Sequence, residues 1–209
     1  MSQVIVTDQR PVTPEPSALR LVMTLAIAGL ISGIAIVAVF EATFDTIETN
    51  RALELEQAVF NVLPGITAMQ PVSLTAPSGE TRQVYAGFDQ AGDLQGFAIP
   101  ASGAGFQDTI RLIYGYHPHH NQIVGMQVLD SRETPGLGDK IIKDDNFVNQ
   151  FDALEVTPAI ELVKGKGTRA NQVDGITGAT ISSRAVVNII NSANQAWLAS
   201  LPAEVQKDE

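Results

Sequence analysis

The chain has 209 residues, room for one domain of ordinary size plus an appendage. Its 23 Asp and Glu outweigh 13 Lys and Arg for a formal charge of −10, so electrostatics disfavour nucleic acid and anionic headgroups as partners. Cysteine is absent, which excludes disulfides, thiolate metal sites, iron–sulfur ligation and thiol catalysis and leaves any redox chemistry to a bound cofactor.

Residues 1–18 are polar and contain Pro11, Pro14 and Pro16, the composition of a short disordered tail. Residues 21–40 then run without a charge. Twenty residues at about 1.5 Å rise span about 30 Å, the thickness of a bilayer core, so a transmembrane helix is expected over 19–41. A cleaved signal peptide is the competing reading, but its apolar region is usually about 7–15 residues, and no Ala-x-Ala site follows Phe40. Arg10 and Arg20 precede the span and only Arg51 lies close behind it, so the positive-inside rule predicts a cytoplasmic N-terminus. Asp8 and Glu15 balance those two arginines, which leaves the whole net charge on residues 41–209, outside the membrane and in the periplasm where there is one. Gly29 and Gly33 form a Gly-x-x-x-Gly spacing suited to close helix packing, a weak signal in an apolar segment.

Residues 42–80 read as a linking helix and connector. Ile47, Leu55, Val59, Val62 and Leu63 recur at helical spacing over 45–63, and Pro64-Gly65 closes the pattern. The main domain is expected over 81–203, with a tail at 204–209. Arg82–Phe88, Gly96–Ile99, Thr109–Tyr116 and Ile123–Leu129 are β-rich runs. Turn clusters at Ala91–Asp93, Pro100–Gly105 and His117–Gln122 separate them, which predicts an antiparallel meander. A Pro-Gly loop at 133–138 follows. Phe147, Val148 and Phe151 then suggest a short helix, and 159–164 a strand. Val186, Ile189, Ile190, Ala193, Trp197 and Leu201 line one face of a closing helix over 182–201 that should cover the sheet. The fold class is α+β: a single N-terminal transmembrane helix and a small antiparallel-sheet domain flanked by helices.

Two strings stand out. In Glu133-Thr134-Pro135-Gly136-Leu137-Gly138, Pro135 presets φ and Gly136 supplies a positive φ, the signature of a type II turn. It reads either as a surface turn or as a loop presenting Glu133, Thr134 and Leu137 to a ligand edge. In Asp174 to Ser183, Thr177-Gly178-Ala179-Thr180 sets a hydroxyl just after a Gly-Ala pair and before the closing helix. Small residues allow close approach, and a helix start offers N–H donors to an anion, so Thr180 is well sited to carry a phosphoester. The alternative is a plain helix cap supplied by Thr177 or Ser182.

The second string resembles the [Ser/Thr]-Gly-Ala-Thr flavinylation motif of the FMN-binding domain family. With the Pro-Gly loop ahead of it and the anchor at the front, nearly the whole chain resembles the G subunits of Rnf ion-translocating ferredoxin:NAD⁺ oxidoreductases. The C subunits of sodium-pumping NADH:quinone oxidoreductases are similar in pattern but usually longer. The resemblance implies that a flavin transferase, using FAD, leaves FMN on Thr180 as a phosphoester. It further implies an electron relay between membrane subunits of a complex in the cell inner membrane, coupling ferredoxin–NAD⁺ electron transfer to Na⁺ or H⁺ movement. No residue of the chain then serves as acid, base or nucleophile in turnover. Glu133, Thr134 and Leu137 are the expected isoalloxazine contacts, with Gly136 and Gly138 allowing close approach. Thr177, Gly178 and Ala179 are expected to line the phosphate and ribityl side. Asp174 either orients the turn through its backbone or helps the transferase bind. Family members often carry a histidine where this chain has Ser131, so no role of that histidine transfers. Outside this family, the alternatives are a membrane-anchored flavin reductase acting on a soluble substrate and a flavin-free assembly scaffold.

Three other features read as structural. His117, His119 and His120 sit with Pro118 in the hairpin loop, a solvated turn rather than a metal site. Gly165-Lys166-Gly167 lacks P-loop spacing and reads as a connector, with Lys164 or Lys166 available to a phosphate. Trp197 reads as core.

Overall fold

A computed structural model of the chain describes residues 17–76, 79–202 and 205. The polar tail before Ser17 and most of the tail after 203 lie outside the described residues. The chain divides after Asn50 into two compact units.

In the first unit the chain is helical from Ala18, and every described residue up to Asn50 is exposed. A helix that is apolar all round yet uncovered needs an apolar solvent. The helix α1, Ala18–Val62, is long and apolar enough to cross a membrane, and the expected span 21–40 falls inside it.

The second unit is built on a six-stranded antiparallel meander in sequence order: β1 (Ala68–Thr75), β2 (Thr81–Phe88), β3 (Leu94–Ala104), β4 (Thr109–His117), β5 (Gln122–Asp130) and β6 (Asp152–Glu155). Between β5 and β6 lie two single-turn helices, α2 (Lys140–Lys143) and α3 (Asp145–Val148), and a 3₁₀ turn, Asn149–Phe151. The strand expected at 159–164 forms as β7 (Glu161–Val163). It pairs in parallel with β8 (Gln172–Asp174) in a separate ribbon rather than joining the meander. The closing helix, α4 (Thr180–Trp197), starts two residues earlier than its apolar stripe indicates.

Alternation along the strands divides the apolar residues between two faces. Phe97, Ile99, Ile110, Leu112 and Tyr114 face the larger core, where α4 contributes Val186, Ile189, Ile190, Ala193 and Trp197. Ala98 and Ile113 face the other way and meet Ala58, Val59, Val62, Leu63 and Ile66 from the end of α1 and the turn after it. The linking segment thus ends as a cap on the sheet. Gly115 makes this seat possible. A Cβ there would run into the Val62 carbonyl, and would stand 2.9 Å from Leu63 Cδ2. Backbone cannot yield as a side-chain tip can. Gly115→Val should therefore destabilise the domain by about 1–3 kcal/mol or more through overpacking. A lowered melting temperature checks this, and an unchanged one contradicts the seat.

The sheet begins at Ala68, inside the stretch read as connector, and β6 adds a sixth strand. β1 contains Pro71, which demotes a strand pattern in sequence. It sits on the sheet edge, where a missing N–H costs no ladder bond on the open side. β3 likewise runs through Pro100 into the cluster read as a break. Its pairing with β2 ends at Ala98, so Pro100 lies where only β4 remains as a neighbour.

Candidate functional site

The Pro-Gly loop folds as its residues demand. Leu137 N–H donates to the Thr134 carbonyl at 3.1 Å, and Gly136 takes φ +78°, as a type II turn requires at that position. The threonine string forms a second turn of the same kind. Ala179 N–H donates to the Ile176 carbonyl at 3.0 Å, and Gly178 takes φ +85°. The two turns meet: the Cβ position of Gly178 lies 3.6 Å from Leu137 Cδ2.

Thr180 is the first residue of α4. Among the described residues no side chain caps this helix, so neither Thr177 nor Ser182 acts as the cap. Thr177 is exposed, and Ser182 is buried with its hydroxyl turned to Glu133. Ser183 braces the turn from inside. Its hydroxyl donates to the Ala179 carbonyl at 2.9 Å and accepts from Ile176 N–H at 3.1 Å. The Thr180 hydroxyl has only a long bond, 3.5 Å, to the Ile176 carbonyl.

A cleft of about 350 Å³ opens beside Thr180, lined by Phe106, Thr134, Leu137, Gly138, Gly178, Ala179, Thr180, Ile181 and Ser182. That volume lies in the lower part of the range of small-molecule sites, about 300–1,000 Å³. Phe106, Leu137 and Ile181 are 63%, 50% and 54% exposed, an uncovered apolar rim on an otherwise acidic domain. An apolar cleft with a hydroxyl at an uncapped helix start suits a planar aromatic ligand bearing an anionic group.

The structure brings six of the ten expected site residues to this cleft and four elsewhere. Thr134, Leu137, Gly138, Gly178, Ala179 and Thr180 line it. Gly136 stays at the turn apex. Asp174 and Thr177 instead line a neighbouring depression of about 620 Å³ with Lys140, Gln150 and Lys166. There Asp174 Oδ1 accepts from Gly167 N–H at 2.6 Å, which ties the β7–β8 connector rather than the threonine turn. Glu133 lies behind the cleft wall, 5% exposed, with both oxygens engaged by the chain itself. Oε1 accepts from the N–H groups of Phe106 at 2.8 Å and Gln107 at 3.0 Å, and Oε2 accepts from the Ser182 hydroxyl at 2.5 Å. Thr134 donates its hydroxyl to Gln107 Oε1 at 3.0 Å. The sequence offers no signal for Phe106, Ile181 or Ser183 at the site, and Ser182 is expected from it only as a candidate helix cap.

Burial pushes the Glu133 carboxyl up. The Ser182 hydroxyl and the N–H groups of Gln107, Phe106 and Asp108 outweigh burial and hold it below the usual carboxylate range. A carboxyl lowered in the native state contributes stability that is fully present above its unfolded pKa. That stability is lost as pH falls through the lower native value. Glu133→Gln should therefore flatten the acid limb of the melting temperature against pH, and an unchanged acid limb would contradict this reading.

The rings of His117 and His120 lie with centroids 4.3 Å apart and planes tilted by 39° in the β4–β5 turn. That turn lies at the other end of β4 from the cleft.

The model of the FMN-binding domain family matches residues 105–195, a stretch that contains every residue lining the cleft. The G subunit of an ion-translocating oxidoreductase complex from Methanosarcina acetivorans is 30% identical over 83% of this chain and 91% of its own length. The protein of the same name from Shewanella baltica is 32% identical over 85% of this chain and 91% of its own. The chain belongs to the G-subunit family of ion-translocating oxidoreductase complexes. The C subunit of a Na⁺-translocating NADH-quinone reductase from Parabacteroides distasonis shares the fold of this G-subunit chain. Its TM-score is 0.61 at 19% identity, covering 78% of this chain and 98% of that one. The α+β architecture expected from sequence is thus both observed and shared.

Proposed function

We propose that this G-subunit chain is an electron-relay flavoprotein of a membrane oxidoreductase complex, with FMN joined to Thr180 through its phosphate. The observation that carries the reading is the cleft itself: an exposed apolar rim, two glycine turns in contact and a threonine hydroxyl at an uncapped helix start. Membership in the G-subunit family and the match to the FMN-binding domain family support it.

Within this reading each residue has a task. Thr180 supplies the oxygen of the phosphoester, and its long bond to Ile176 is easily given up. The first N–H groups of α4 and the positive end of its dipole face the phosphate charge. Gly178 keeps the approach open, and Phe106, Leu137 and Ile181 cover apolar ring surface. Thr134 and Gly138 complete the wall. The flavin supplies reversible uptake of electrons, and the protein holds and tunes it. A covalent link suits a domain outside the cytoplasm, because a dissociating cofactor would be diluted away. The acidic domain also disfavours retention of a free anion. Asp174 and Thr177, on the neighbouring depression, are left to the docking of a FAD-dependent flavin transferase.

The anchor sets the N-terminus in the cytoplasm and the domain in the periplasm or outside the cell. The complex couples ferredoxin–NAD⁺ electron transfer to Na⁺ or H⁺ movement. Denaturing gels test the central part. The chain made with a flavin transferase should fluoresce as a flavin band, and the chain made without one should be dark. A dark band in both preparations would contradict covalent attachment. Protease added to spheroplasts should digest the domain and spare the anchor; protection of the domain would reverse the orientation.

A further inference from the structure

Three separate segments meet on Glu133. The turn 105–108 offers the N–H groups of Phe106 and Gln107 to Oε1, and α4 offers the Ser182 hydroxyl to Oε2. The Pro-Gly loop contributes Glu133 itself and also Gly138. The packing is tight enough to exclude a side chain at two neighbours. A Cβ on Gly138 would stand 2.7 Å from Glu133 Oε2 and 2.9 Å from Ser182 Oγ. A Cβ on Gly105 would collide with Glu133 Oε1 and stand 2.7 Å from the Asp108 carbonyl. Gly138 is therefore accounted for by the carboxylate behind it.

The three segments joined in this way are the three that wall the cleft. Phe106 comes from the first, Thr134 and Leu137 from the second, and Thr180 to Ser182 from the third. Ser182 lines the cleft on one side and touches Glu133 on the other. Ser182 and Gly138 both line the cleft and both pack against this buried negative charge. Among the described residues no Lys or Arg forms an ion pair with it; all its partners are neutral donors, so the charge is spread but not cancelled.

We propose that Glu133 is the positioning residue of the cleft, clamping the Phe106 turn to the start of α4 and fixing a negative charge behind the cleft wall that lowers the flavin's reduction potential. The proposal rests on Thr180 as the attachment point. Reduction brings electrons onto the ring, and a fixed negative charge nearby opposes that step, more strongly in a site with little water. Glutamine is close to the isostere. Its carbonyl oxygen can still accept from Phe106 and Gln107, while its amide carries no charge. Ser182→Ala keeps the charge and removes one neutral donor, so it loosens the same clamp without neutralising the carboxylate. Glu133→Gln should therefore raise the potential by more than Ser182→Ala does, whereas loosening of the cleft would move the two alike.

The test is a spectroelectrochemical titration of the full-length chain purified from membranes of cells that also make a flavin transferase. Wild type, Glu133→Gln and Ser182→Ala are compared, each checked for bound flavin on a denaturing gel. A shift to more positive potential is expected in Glu133→Gln and a smaller shift or none in Ser182→Ala. Any other pattern with flavin attached in all three, equal potentials or equal shifts included, would overturn the proposal and leave the Thr180 assignment standing. A wild-type chain without covalent flavin would overturn the assignment and this inference with it. Should Glu133→Gln fail to accumulate, Glu133→Ala replaces it beside Ser182→Ala: a positive shift larger than that of Ser182→Ala supports the proposal, and an equal, smaller or negative shift overturns it.

Discussion

Thr180→Ala is expected to remove all covalent flavin and leave the domain folded. The hydroxyl contributes one bond of 3.5 Å to the Ile176 carbonyl, so its loss should cost less than about 1 kcal/mol. The turn is held instead by Ser183, which is fully buried and bonds both Ile176 and Ala179. Thr180→Ser keeps an oxygen in the same place and should keep flavin. In-gel fluorescence beside a thermal melt reads both effects. Fluorescence surviving in Thr180→Ala would move the attachment elsewhere, to Thr177 or Ser182 among the nearby hydroxyls.

Trp197→Ala should show the reverse pattern. The indole is 1% exposed at the C-terminal end of α4, and the Arg82 guanidinium carbon lies 5.0 Å from its ring centroid. Truncating a buried Trp costs about 3–5 kcal/mol, and loss of the cation–π contact adds about 0.5–1 kcal/mol. At about 2–4 °C per kcal/mol for a domain of this size, the melting temperature should fall by roughly 10 °C. Thr180 lies at the other end of an 18-residue helix, about 27 Å away. The fraction of folded Trp197→Ala that carries flavin should therefore match wild type. A melting temperature unchanged by this substitution would contradict the placement of Trp197 in the core.

Together the two substitutions divide α4 into a chemical end and a structural end. That division is legible in its residues. The stripe from Val186 to Trp197 repeats at helical spacing and does pack on β3 and β4, whereas Thr177 to Ser183 breaks the stripe with small and polar residues. The strands β2 to β5 were equally readable, because their alternation is bounded by turn residues that carry mechanisms of their own. β1 and β6 were not. Pro71 masks β1, and β6 is four residues long with Ala153 at φ +59°, too short and irregular to show a period. The parallel pairing of β7 with β8 is a long-range choice that neither strand carries locally.

At the cleft, the two motifs announced themselves by composition, and both turns have the glycine conformations their residues require. Side-chain direction was the part that sequence left open. Glu133 and Asp174 are polar residues inside the motifs, yet Glu133 gives one oxygen to the backbone of the Phe106 turn and the other to the Ser182 hydroxyl, and Asp174 gives one to the Gly167 backbone. Phe106 lies in a segment with no motif at all, yet it lines the cleft from a turn whose N–H groups bond Glu133. Proximity in sequence to a reactive residue is thus a poor guide to contact when three loops converge from different parts of the chain.

The proposed electron relay depends on the chemical state of one side chain, Thr180. The full-length protein, purified from membranes of cells that make a flavin transferase, should be digested and its peptides mapped by mass. The peptide containing Thr180 should be heavier by one FMN less one water, with fragmentation placing the addition on Thr180. An unmodified Thr180 peptide, recovered in full from those cells, would contradict the relay.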